Sequence, residues 1–141
     1  PTLARGATYH PTPDSLAEAV DILSVHCAST PATRNSVNAD LIARMGTNAI
    51  LINTARGDIV DDDDLIRALQ TGRLAAAGLD VFRGEPALDP RYRSLENVFL
   101  LPHLGSATVE TRDAMGHRAI DNLDAFFAGE TPPDLVAAST S

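Results

Sequence analysis

Lysine is missing altogether: all 11 basic residues are arginines. That excludes a phosphate-binding loop built on lysine and any Schiff-base chemistry. Cysteine occurs once, at Cys27, so an intramolecular disulfide and a cysteine-rich zinc site are both excluded. A single thiol and no signal-like start fit a reducing cytoplasm. No apolar run approaches the roughly 20 residues of a membrane span. No repeat period or low-complexity tract occurs. Positive charge is scarce: 19 acidic residues against 11 arginines leave a net charge of −8. The arginines are scattered, so no basic patch tracks a phosphate backbone and nucleic-acid binding is not expected.

What is present describes one domain. The chain has 141 residues, 44% hydrophobic and 21% charged, too apolar for a disordered segment. Four strand-length apolar runs stand out: Asp21 to Cys27, Ala49 to Asn53, Ala75 to Val81 and Asn97 to Leu101. They are apolar on both faces, as strands buried between two helix layers are. Helix signals alternate with them. Pro13-Asp14-Ser15 opens a short helix over Leu16 to Val20, Asn38 caps one over Ala39 to Arg44, and Asp61 caps one over Asp62 to Gln70. The longest runs from Thr108 to Phe127 and ends at Gly129. Ala7 to Tyr9 reads as a very short strand, and Pro1 to Gly6 as the tail of a helix. Helical crossovers between buried strands predict an α/β fold with a mostly parallel sheet. Four such strands make half of a doubly wound domain, so the chain is expected to be a fragment lacking upstream elements.

In an open α/β sheet, ligands bind beyond the carboxyl ends of the strands. The four strand exits carry His26-Cys27-Ala28, then Asn53 to Asp58, then Asp80 followed by Glu85, then His103 to Ser106. The chemistry on offer is specific. Arg56 presents a planar fork that holds a carboxylate by two hydrogen bonds. His103, set between Pro102 and Gly105, exchanges protons near neutrality. Glu85 is placed to hydrogen-bond the second ring nitrogen, fixing the tautomer and favouring the imidazolium. An anion clamp, an acid/base and its orienter suit hydride transfer to the carbonyl of a 2-oxo acid. None of the three supplies a hydride, so a nicotinamide is implied.

The stretch Leu51-Ile52-Asn53-Thr54-Ala55-Arg56-Gly57-Asp58-Ile59-Val60-Asp61, continuing to Gly78-Leu79-Asp80-Val81-Phe82-Arg83-Gly84-Glu85-Pro86, resembles the long signature of the D-isomer-specific 2-hydroxyacid dehydrogenases. Leu101-Pro102-His103-Leu104-Gly105-Ser106-Ala107-Thr108 resembles their histidine motif, and Asn122 to Gly129 resembles the glyoxylate/hydroxypyruvate reductase and glycerate dehydrogenase branch. The resemblance implies the second half of a Rossmann-type NAD-binding domain over 1–107, and a C-terminal helix and tail over 108–141 that pack back toward a substrate domain. It implies that Arg56 binds the substrate carboxylate and that His103 donates the proton with Glu85 as its partner. Asp80 would hold the nicotinamide carboxamide. Cys27, Thr54, Ala55, Gly105 and Ser106 would line the nicotinamide half of NAD or NADP, and Thr33 would also contact the cofactor. A small 2-oxo or 2-hydroxy acid and a second copy of the chain, as a homodimer, are the implied partners.

The departures are as informative. The nine glycines stand at 6, 46, 57, 72, 78, 84, 105, 116 and 129, so no G-x-G-x-x-G occurs. Without that turn and its helix N-terminus the pyrophosphate has no cradle. The 141-residue chain alone is therefore expected to bind NAD(H) weakly or not at all, and a non-catalytic assembly module stands as the alternative. The run Asp61 to Asp64 lacks the spacing of a calcium loop and reads as the acidic start of a helix. Cys27 has no adjacent base to activate it and reads as a small buried hydrophobe. Met115 and Phe126-Phe127 read as a packing stripe, or as an exposed patch that drives association.

Overall fold

The computed structural model describes residues 6–136. Four strands, β1 (Ile22–Val25), β2 (Ile50–Asn53), β3 (Ala76–Leu79) and β4 (Val98–Leu100), form one sheet. The sheet runs β1-β2-β3-β4 in space and every neighbouring pair is parallel. The helices are α1 (Pro13–Ala17), α2 (Ala39–Ile42), α3 (Asp62–Gln70) and α4 (Val109–Phe127), with 3-10 turns at Gly57–Ile59 and Pro90–Ser94. The chain divides into two compact units, residues 1–103 and 104–141.

Within the first unit, burial is one-sided. Leu23, Val25, Leu51, Asn53, Ala77 and Leu79 are buried, whereas Ile22 and Phe99, whose side chains alternate to the opposite face, are 58% and 67% exposed. The expectation of strands buried on both faces is corrected here: in the first unit only one face is buried, and the other runs from half-buried at Ile50 and Ile52 to exposed at Ile22 and Phe99. Leu41 and Ile42 of α2 and Leu65, Ile66 and Leu69 of α3 share that core. Strands of three or four residues carry little intrinsic stability, so burial of this face is what holds them.

The acidic run is absorbed by structure. Asp61 caps α3 by accepting from Asp64 N–H at 3.2 Å, and Asp64 accepts from Ala39 N–H, the first residue of α2, at 2.8 Å. Asp62 accepts from the Tyr92 hydroxyl at 2.6 Å, and Asp63 pairs with Arg91 at 2.7 Å. The carboxylates thereby knit α2, α3 and the Pro90–Ser94 turn together. Tyr92 is 2% exposed, so the β3–β4 crossover is anchored by one buried aromatic rather than by an α-helix.

Other boundaries moved. The helix expected over Leu16 to Val20 is α1 at Pro13–Ala17, with Thr12 as its N-cap and Glu18 as its C-cap. Thr12 and Ser15 bond reciprocally, and this local box begins the helix earlier than the apolar pattern does. Ala7 to Tyr9 form no strand, and the expected helical tail at 1–5 lies outside the described residues.

In the second unit, Thr108 caps α4 by accepting from Thr111 N–H at 3.2 Å. Gly129, at φ +75°, ends it: Gly129 N–H donates to the Phe126 carbonyl and Glu130 N–H to that of Ala125. This paired closure needs a left-handed residue, which glycine adopts without a Cβ penalty. Arg118 grips Asp134 with two hydrogen bonds, at 2.5 and 2.8 Å, and Asn122 holds the same carboxylate at 2.7 Å. The tail is thereby tied back along the helix. No described helix is long and apolar enough to cross a membrane.

Candidate active site

Parallel pairing brings the exits of β1, β2 and β3 to one edge, and His103 follows β4 there. A cavity of about 510 Å³ opens on that edge, lined by Ser29, Arg56, Asp58, Arg83, Glu85 and His103 among others. The three residues singled out for acid/base and carboxylate chemistry therefore share one cavity, though 47 positions separate Arg56 from His103.

His103 Nδ1 lies 2.6 Å from Glu85 Oε2. The other carboxylate oxygen, Oε1, accepts from Phe82 N–H at 2.8 Å. With both oxygens engaged the carboxylate is fixed. It is also held below the ordinary glutamate range, first by the His103 hydrogen bond, then by the Phe82 amide, with Arg56 adding to the same effect. His103 itself sits at φ +57°, a region sparsely populated by residues with a Cβ. Such backbone strain persists where the surroundings over-determine it. With Nδ1 engaged, Nε2 is the nitrogen left to meet a ligand.

Arg56 follows β2 in an extended conformation, φ −147°, just ahead of the Gly57–Ile59 turn. Its Nη1 donates to the Ala55 carbonyl at 2.6 Å. Gly57 is packed onto the loop that carries Glu85: a Cβ there would stand 2.0 Å from the Phe82 carbonyl carbon and 2.3 Å from Arg83 N. Only a residue without a side chain allows that approach. Asp58 accepts from Ser29 Oγ at 2.7 Å and pairs with Arg34 at 3.3 Å, which lowers its pKa, the Ser29 hydrogen bond being the larger cause. Arg83 donates to the Val60 carbonyl at 3.0 Å and to Asn35 Oδ1. The β1, β2 and β3 exits are cross-tied by these residues. Sequence reasoning passed over Gly57, Asp58 and Arg83, because their partners lie more than 20 positions away.

The residues expected at the cofactor are distributed as follows. Asp80 is 5% exposed at the end of β3, and its N–H donates to the Asn53 carbonyl at 3.0 Å. Thr54 and Cys27 are exposed beyond β2 and β1; Cys27 is therefore not the buried hydrophobe expected. Ala55 is half-buried. The Thr33 hydroxyl donates to the Ala28 carbonyl at 2.7 Å and accepts from Thr30 N–H at 2.8 Å, so it folds its own loop. Gly105 and Ser106 belong to the second unit. A buried acidic acceptor at a strand exit, beside exposed backbone, fits the amide end of a nicotinamide. The pyrophosphate end finds no glycine-rich turn among these 141 residues.

Comparison with known proteins gives the family of the chain. The model of the D-isomer specific 2-hydroxyacid dehydrogenase NAD binding domain matches residues 2–105. A glycerate dehydrogenase from Hyphomicrobium methylovorum is 46% identical over 123 residues, covering 87% of this chain and 38% of that protein. A glyoxylate/hydroxypyruvate reductase A from Arabidopsis thaliana is 47% identical over 123 residues, covering 87% and 39%. The crystal structure of an NADPH-dependent glyoxylate/hydroxypyruvate reductase from Sinorhizobium meliloti in complex with citrate superimposes with a TM-score of 0.92 at 44% identity, over 99% of this chain and 44% of that one. The chain thus spans about two fifths of the length of the relatives it matches. It belongs to the D-isomer specific 2-hydroxyacid dehydrogenase family, within the NAD-binding domain.

Proposed function

We propose that this chain is the proton-donating and carboxylate-binding part of an NAD(P)-dependent oxidoreductase that interconverts 2-oxo acids and D-2-hydroxy acids, with glyoxylate or hydroxypyruvate as substrate. The observation that carries the reading is the 2.6 Å His103–Glu85 pair in the same cavity as Arg56. Arg56 binds the substrate carboxylate through its fork and draws charge toward the developing alkoxide. Glu85 holds the ring so that Nε2 faces the carbonyl oxygen. His103 passes the Nε2 proton to that oxygen as it becomes a hydroxyl, and Glu85 stabilises the ring before transfer. When bound, a reduced nicotinamide supplies the hydride to the carbonyl carbon. Asp80 would accept from its carboxamide, with Cys27, Thr54 and Ala55 lining it and Thr33 shaping the adjoining loop. The relatives' names, which include glyoxylate reductases, support the substrate class.

The lone thiol supports a cytoplasmic setting. The apolar residues exposed on α4 support both a homodimer and a role for 108–141 in packing toward a substrate-binding domain. The missing glycine-rich turn favours the alternative, an assembly module without turnover, for the 141-residue polypeptide alone.

Two measurements test this. Hydroxypyruvate-dependent NADH oxidation by the purified 141-residue chain is expected to be absent, and measurable turnover refutes the inactivity. In a polypeptide joining this chain to a glycine-rich turn and a substrate domain, His103→Ala should lower kcat by about 10²–10⁴-fold with cofactor affinity kept. A variant with normal kcat removes His103 from the reaction.

A further inference from the structure

Asn53 is one of two polar residues buried in the described core, at 1% exposure. It occupies the last position of β2, on the face that buries Leu51, where an aliphatic side chain would pack without any polar cost. Both ends of its amide are used, and both on the same turn. Asn53 Oδ1 accepts from Ala55 N–H at 3.0 Å, and Asn53 Nδ2 donates to the Arg56 carbonyl at 2.9 Å. The amide therefore closes the Thr54–Arg56 turn from beneath. On its far side the turn is pinned by Gly57 against the Phe82–Arg83 peptide. The Arg56 backbone is thus fixed at two points, and from it the guanidinium reaches the cavity shared with Glu85 and His103.

We propose that Asn53 is a positioning residue: its buried amide sets the aim of Arg56, and with it the carboxylate affinity of the site. This inference rests on the reading of Arg56 as the carboxylate clamp. A strand-terminating residue would need only one of the two bonds. An amide that binds both the N–H before Arg56 and the C=O of Arg56 itself leaves the turn a single conformation. Preorganisation of this kind raises affinity because the clamp is not ordered at the moment of binding.

The test uses the isotopically labelled 141-residue chain and oxamate, a non-reacting mimic of a 2-oxo acid, followed by NMR. Oxamate should shift the Arg56 side-chain Nε–H and the Gly57 amide, and Arg56→Ala should abolish the Gly57 shift. A wild-type chain unmoved by oxamate, or an Arg56→Ala chain that binds normally, sinks the clamp reading and the inference with it. Asn53→Leu, which keeps the branched heavy-atom skeleton and removes both bonds, should weaken oxamate at least tenfold while the Leu51 and Leu65 amides keep their exchange protection. Unchanged affinity in Asn53→Leu, with Arg56→Ala still failing to bind oxamate, overturns the inference alone. Should Asn53→Leu fail to fold, the wild type decides. Its Ala55 amide should exchange at least tenfold more slowly than that of exposed Thr54, and the Asn53 side-chain amide should shift on oxamate saturation. Fast exchange at Ala55 or a stationary Asn53 amide refutes it.

Discussion

Helices α3 and α4 are built on opposite terms. Four of the nine residues of α3 are buried, Leu65 completely, and its first turn of aspartates is bonded to α2 and the Pro90–Ser94 turn. None of the 19 residues of α4 is buried, and Val109, Met115, Ile120, Leu123, Phe126 and Phe127 are all more than half exposed. One helix is held by packing. The other is held by devices of its own: the Thr108 cap, the Gly129 closure and the Arg118–Asp134 tie. At 9 residues α3 is below the roughly 12–15 at which an isolated helix becomes stable in water and depends on its core, whereas α4, at 19, exceeds it.

The sharpest way to break this contrast is to remove the same side chain from each. Leu65→Ala should cost about 2–5 kcal/mol, because a fully buried leucine leaves a cavity. Leu123→Ala, from a side chain 55% exposed, should stay within about 0.5 kcal/mol. Denaturant melts of both variants check this. A Leu123→Ala loss near that of Leu65→Ala would show that α4 is buried in solution.

Next in size, Gly57→Ala should destabilise the first unit by about 1–3 kcal/mol, since a methyl group cannot fit against the Phe82–Arg83 peptide. Gly116→Ala in mid-α4, where a Cβ meets nothing, should instead stabilise the helix by up to about 1 kcal/mol. Equal effects at the two glycines would erase the distinction between the units.

Smaller still is Tyr92→Phe. It removes the hydroxyl bonded to Asp62 and should cost about 1 kcal/mol by thermal melt, the ring remaining in place.

The least effect in energy, though the cleanest in sign, is the acid titration. Asp62 is raised above its ordinary value of 3.8, chiefly by burial, so its ionised form opposes folding and protonation relieves that as pH falls through the raised value. Asp134 is lowered from 3.8, first by the Arg118 hydrogen bond and then by Asn122, so it favours folding above pH 3.8 and loses that as pH falls through the depressed value. Carboxyl resonances followed from pH 7 to pH 2 should show Asp62 protonating first. The reverse order would mean that the Asp134 tie does not form in solution.

Much of this was legible in the residues themselves. The strand runs at Ala49 to Asn53 and Ala75 to Val81 contain β2 and β3, and the caps at Asn38 and Asp61 are the caps observed, because capping is chemistry over three residues. Arg56, Glu85 and His103 stand in motifs that announce them before any fold is known. The 3-10 turn that buries Tyr92 was not legible: its reason is Asp62, thirty positions earlier. Nor was the exposed sheet face, since Ile22 and Phe99 are apolar whether or not anything covers them.

By itself the sequence determined the parallel α/β character, the order of elements and the side chains proposed for proton transfer and carboxylate binding. These follow from periodicity, capping and residue type, which act over a few positions. Only the tertiary structure decided that Glu85 reaches His103, that Gly57 lies against the Glu85 loop, and that Asn53 spends its amide on the turn of Arg56. The first two are contacts between strand exits, which parallel pairing brings to one edge, and the third depends on the burial of the last residue of β2.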